Sequence, residues 1–142
     1  MDLIAVDEGN RLFIAPDIDD WAPLEQAGVT AIIDLDGDLD LGVPTVPNHI
    51  LYVYFPINDA ELPDLAKLHA VGRLGAMLVR SGHKVLSHCG LGFNRSALVA
   101  GLILRYQGLT GPEAVAQLRR KRPGALYNEL FAAYLRDCAL ER

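Results

Sequence analysis

Two cysteines, Cys89 and Cys138, are all that this 142-residue chain carries, so it is no disulfide scaffold. The opening "MDLIAVDEGN" is acidic, lacks a long apolar run and does not read as a secretory signal. With so few cysteines, this points to a reducing cytoplasm. Long apolar runs are also missing. Ala97 to Leu104, beside the motif treated below, is broken by Gly101 and is too short to span a bilayer, so no membrane association is expected. Positive charge is the scarcer sign: 13 Lys and Arg against 18 Asp and Glu, a formal net charge of −5. That argues against sequence-independent nucleic-acid binding, which needs a basic surface. There is no repeat, low-complexity tract or linker. Residues 1–142 are expected to form one domain and to act as a monomer.

What remains is an apolar, patterned chain. "LFIA" (Leu12 to Ala15), "VTAIIDL" (Val29 to Leu35), "ILYVYFP" (Ile50 to Pro56) and "KVLSH" (Lys84 to His88) have strand length and content. "IDDWAPLEQAG" reads as a helix closed by Gly28. Leu65, Leu68, Val71, Leu74 and Leu78 lie on one helical face ending near Gly82. Ser96 to Tyr106 is helical and apolar on most sides, which implies burial. "TGPE" (Thr110 to Glu113) is a capping-box start for a helix running to about Arg122. A last helix is expected over Tyr127 to Leu140. Apolar strands joined by helices imply an α/β fold with a mostly parallel central sheet.

One stretch asks for more than packing: "VLSHCGLGFNRSALVAGLIL", Val85 to Leu104. It places Cys89, Gly90, Gly92, Arg95 and Ser96 between the end of a strand and the start of a helix. In open α/β sheets ligands bind at that edge, and a helix N-terminus attracts anions. The five residues Gly90, Leu91, Gly92, Phe93 and Asn94 can turn their amides inward as an anion nest, and Arg95 adds a planar fork for two phosphate oxygens. A thiol in such a place ionises more readily than a free one and becomes an activated nucleophile. Ser96 can donate a hydrogen bond to the sulfur. His88 suits orienting the loop rather than acting as a base. Zinc is not expected, because only His83 stands close by and no second ligand pair follows; no cofactor is implied.

"HCGLGFNRS" resembles the His-Cys-x5-Arg-Ser signature of the cysteine-dependent protein phosphatases. The flanking "RLFIAP…WAPLEQAGVTAIIDL", "FPINDAELPD" and "RRKRPGALYNELFAAYL" look like the small dual-specificity phosphatases within that superfamily, so the resemblance covers nearly the whole chain. It implies Cys89 as nucleophile, Arg95 as phosphate clamp, Ser96 as helper of thiolate departure and Asp59 as general acid. Gly90 to Asn94 become the phosphate cradle. Arg122 is either a cation at a helix end or a contact for a second acidic group at the pocket mouth. Asn128 is placed to brace the loops. Leu91 stands where that family commonly has alanine. The expected substrates are phosphorylated proteins, phosphotyrosine above all, with a phosphate or sulfate anion fitting the site. Phosphoinositide or RNA 5′-end hydrolysis, and phosphoprotein binding with little turnover, are the alternatives.

Overall fold

The computed structural model describes residues 2–140. β2 (Leu12–Ala15), β3 (Val29–Asp34), β4 (Leu51–Tyr54) and β5 (Lys84–His88) form a parallel sheet, and β1 (Ile4–Ala5) adds an antiparallel edge. The spatial order is β1-β2-β5-β3-β4. β5 thus lies between two parallel neighbours, and the residue after it emerges in the middle of one sheet edge. The alternation along the strands decides the two faces. Leu12, Ile14, Ala31, Ile33 and Val85 point to one core; Phe13, Ala15, Ile32 and Leu86 point to the other.

A single short helix, α1 (Ala22–Ala27), covers the second face with Leu24 and Trp21. It starts later than the sequence pattern suggests. The Asp20 carboxylate accepts from the Ala22 amide at 3.0 Å, and Pro23 in the first turn needs no amide partner. Gly28 closes the helix at φ 81°, a left-handed geometry that suits glycine.

The first face carries α2 (Leu65–Arg80), α3 (Arg95–Tyr106), α4 (Gly111–Lys121) and α5 (Glu129–Asp137). α3 lies at the centre, and every residue from Ser96 to Leu104 is buried. α4 opens with the expected capping box: the Thr110 hydroxyl accepts from the Glu113 amide at 3.2 Å, and the Glu113 carboxylate accepts from the Thr110 amide at 2.9 Å. α5 is shorter than the apolar pattern implies. The Asn128 side chain caps its start and the chain turns extended at Cys138. Among the described residues no helix is long and apolar enough to cross a membrane.

Candidate active site

The Cys89 amide donates to the Ala15 carbonyl at 3.3 Å, extending the β2–β5 ladder by one residue. The chain then turns through Gly90–Asn94 into α3. Gly92 has φ 74°, and a Cβ there would sit 3.0 Å from the Ala15 and Pro16 backbone; only glycine lets the loop pass so close to β2. In return the Gly92 amide donates to Cys89 Sγ at 3.3 Å. Ser96 Oγ, in the first turn of α3, lies 3.4 Å from the same sulfur. Cys89 is 2% exposed, so the sulfur sits at the bottom of the loop. Among the described residues the amides of Gly90, Leu91, Phe93 and Asn94 have no backbone acceptor, as an anion nest requires.

Arg95 joins three strand ends. Its guanidinium donates to the carbonyls of Leu35 (3.4 Å) and Ile57 (3.3 Å), just beyond β3 and β4. Two carboxylates flank it, Asp36 at 3.5 Å and Asp59 at 3.7 Å. Its Nε is buried without a hydrogen-bond partner among the described residues. Asp59 lies five residues past β4, on the same sheet edge as Cys89, and its side chain is 45% exposed.

Two asparagines fasten the rim. Asn94 Oδ1 accepts from the Asn128 amide at 2.9 Å, and Asn128 Nδ2 donates to the Asp59 carbonyl at 2.7 Å. Asn128 Oδ1 also caps α5 by accepting from the Leu130 and Phe131 amides. One residue therefore ties the cysteine loop, the Asp59 loop and α5 together. Arg122 lies with its guanidinium 4.1 Å from the Phe93 ring centre, a cation–π distance, and reaches the Leu91 carbonyl at 3.5 Å. The Phe93 carbonyl accepts from the Leu126 amide at 2.9 Å.

His88 is fully buried and faces away from Cys89 into a polar cluster. Its Nε2 lies 2.7 Å from Asp40 Oδ2 and 3.6 Å from Asp34 Oδ1. The Tyr52 hydroxyl donates to Asp34 and accepts from the Asp40 amide. Burial pushes the Asp34 carboxyl up, against the Tyr52 bond and the Asp36 amide, which pull it down; burial and the Asp34 bond raise the Tyr52 phenol. Asp34, Asp40 and His88 are close enough to hold a cation. Their facing atoms, however, are already spent on Tyr52, the Asp36 amide and one another.

Nearer the cysteine loop, the Asp17 and Asp36 carboxyls are close enough to shift each other's ionisation. Burial works to raise the Asp36 carboxyl, but Asp17, the Gly37 amide and Arg95 outweigh it and hold it low. Burial and the neighbouring Asp36 carboxyl raise Asp17. The stretch "DGDLDLGVPTVPN" is acidic and turn-rich in sequence, with no motif that singles out Asp36 or Asp40 within it or Asp34 and Tyr52 in the flanking strands. A positional signal was present: Asp36 comes two residues after a parallel strand, and Asp59 five residues after another.

An α/β protein whose buried thiol lies under a loop of free amides, with an arginine beside it, belongs to the anion-binding cysteine-loop class. Comparison with known proteins narrows this. The dual specificity phosphatase catalytic domain matches residues 12–139, and the chain belongs to that family. Human DUSP28 is similar at 27% identity and a TM-score of 0.77, over 94% of this chain and 89% of that one. Tk-PTP in its active form is similar at 25% identity and a TM-score of 0.72, over 94% and 92%. A mouse putative dual specificity phosphatase, solved with zinc tungstate, aligns at 25% identity and a TM-score of 0.76, over 94% and 83%. No curated protein matches the chain by sequence.

Proposed function

We propose that the chain is a cysteine-dependent phosphomonoesterase acting on phosphoproteins, phosphotyrosine foremost. The observation that carries the reading is the double hold on Cys89 Sγ, by the Gly92 amide and near the Ser96 hydroxyl, at the base of a loop of free amides. Arg95 and those amides hold the three peripheral oxygens of the phosphoryl group. The deprotonated sulfur attacks phosphorus in line. The S–P bond forms, the P–O bond to the leaving group breaks, and the Asp59 carboxyl gives its proton to the leaving oxygen. Water then attacks the phosphocysteine while the Asp59 carboxylate takes its proton. The S–P bond breaks, inorganic phosphate forms, and the Ser96 hydroxyl hydrogen-bonds the departing thiolate. No step calls for a metal, since Arg95 and the amides supply the positive charge.

Aryl esters suit the site: Cys89 is buried under the loop, and the loop carries the apolar side chains of Leu91, which is exposed, and Phe93, which is half-buried. The test is Cys89→Ser. A serine hydroxyl stays protonated near neutral pH, while the loop and Arg95 remain. The variant should lose turnover of an aryl phosphate and still bind phosphate or sulfate. Substantial residual turnover would refute the covalent scheme. A panel of phosphopeptides, phosphoinositides and RNA 5′ ends ranks the substrate classes. A bis-phosphoinositide hydrolysed far better than any phosphopeptide would overturn the protein-phosphatase assignment.

A further inference from the structure

Positive charge is distributed unevenly along this chain. Arg11 and Lys67 bracket 55 residues that contain no lysine or arginine and eleven of the chain's 18 Asp and Glu. The topology decides where that charge goes. β2, β3 and β4 run parallel to β5, so the segments that leave them all emerge on the edge where Cys89 sits. Each segment brings a carboxylate to the site. Asp17 follows β2, Asp36 follows β3 and Asp59 follows β4. Asp36 and Asp59 flank Arg95 at 3.5 and 3.7 Å, and Asp17 is near enough to Asp36 for the two carboxyls to shift each other's ionisation. A Cβ on Gly90 would lie 3.8 Å from both Asp36 oxygens, so Asp36 overhangs the first residue of the cysteine loop. Asp38, exposed on the same loop, has no Lys or Arg partner among the described residues.

The remaining side of the mouth is different but weak. Arg122 is turned onto the Phe93 ring and the Leu91 carbonyl. Its neighbours Arg120 and Lys121 pair with Glu8, and Arg119 pairs with Glu129. One phosphate is therefore well provided for at the base, by Arg95 and the loop amides. A second anion beside it would face the Asp17 and Asp36 carboxylates, with Asp59 holding the proton it gives to the leaving group. A cation beside it would meet them as partners.

We propose that this acidic collar is the specificity element of the site, and that it selects phosphorylated residues flanked by Lys or Arg over those flanked by acidic or phosphorylated groups. The inference rests on the phosphatase reading above and adds the substrate's charge pattern to it. Exposed pairs are individually weak, so two flanking arginines in place of two glutamates should raise kcat/KM about tenfold at low salt. Contacts at the rim hold substrate and transition state alike, which puts the effect in KM rather than kcat. Added salt should shrink it.

The experiment uses the full chain with three substrates: an aryl phosphate without a peptide, a phosphotyrosine peptide with flanking arginines, and the same peptide with flanking glutamates. The expected result is the tenfold ratio, carried by KM, falling at high salt. It should fall again in the Asp17→Asn, Asp36→Asn double variant and persist in Arg122→Gln. Equal kcat/KM for the two peptides, or preference for glutamate, with the aryl phosphate turned over normally, would overturn the collar and leave the phosphatase reading standing. Should no substrate be turned over, the phosphatase reading falls instead. The collar is then judged by binding of the same two peptides to Cys89→Ser: tighter binding of the arginine peptide upholds it, and equal binding refutes it.

Discussion

Asp59 and Asp64 stand five residues apart in one loop and are held for different ends. The Asp59 carboxylate lies against Arg95, with its own carbonyl fixed by Asn128. The Asp64 carboxylate accepts from the Lys67 amide at 3.1 Å and caps α2. Asp59→Asn should cut turnover of poor leaving groups by ~10²–10⁴-fold and cost much less on an activated aryl ester. Asp64→Ala should remove about 1 kcal/mol of stability with little kinetic change. Steady-state kinetics on both esters, with thermal melts, separate the two; a leaving-group-dependent loss in the Asp64 variant alone would show the acid to be misassigned. Asp34 supplies a test in pH. Its carboxyl is raised by burial, so the folded state holds that proton more tightly than the unfolded chain does. Its contribution is complete below the ordinary value of 3.8 and is lost as pH rises through the raised one. Asp34→Asn cannot ionise, so wild type should lose melting temperature relative to it as pH climbs from acid toward neutral; a pH-independent difference would contradict the assignment. Residues such as Cys89, Arg95 and Asp59 were legible because fixed spacing, or position just past a strand, ties them to the site. Tyr52 and Asp40 were not, since the loop between β3 and β4 that folds Asp40 back onto His88 has no periodicity to read.

Elements were legible wherever apolar period and punctuation agreed. β2, β3, β5, α2 and α4 fall where the pattern put them, because Gly28, Gly82 and the Thr110 capping box mark their limits. β1 was missed: two residues carry no period, and pairing with β2 alone makes them a strand. α5 came out shorter since apolar content continues past the point where packing stops holding the helix. Contacts between helices were not legible at all. Glycine in a helix reads as a weakness of about 1 kcal/mol, yet here several mark close approach. A Cβ on Gly75 would come within 2.3 Å of the Ile103 side chain, and one on Gly111 within 1.9 Å of the Arg136 carbonyl oxygen. The first neighbour is a movable side chain and the second is backbone. Gly111→Ala should therefore cost at least ~3 kcal/mol, the upper end for overpacking, whereas Gly75→Ala should cost less, partly offset by alanine's helix preference. Chemical denaturation of both variants measures the order, and a Gly111→Ala protein as stable as wild type would show that α4 and α5 can move apart.

For the molecule as a whole, a mostly parallel sheet with the cysteine loop at its edge was legible in the sequence, and which face would be thick was not. The answer lies in α3, which is wrapped by the sheet, α2, α4 and α5 and buried from Ser96 to Leu104. The same helix begins at Arg95, immediately after the loop that holds Cys89. Burial on that scale has a consequence in time. Amide hydrogens from Val99 to Tyr106 can reach deuterium only when the whole fold opens, while those of the half-exposed loops after β3 and β4 need only local fluctuations. Native-state exchange should thus show α3 as the slowest segment, with an opening free energy equal to that of global unfolding; a distinctly lower value would mean that α3 opens by itself. The amides that would grip phosphate thus adjoin the segment expected to keep its protons longest, and the carboxylates around them sit on segments expected to trade theirs quickly.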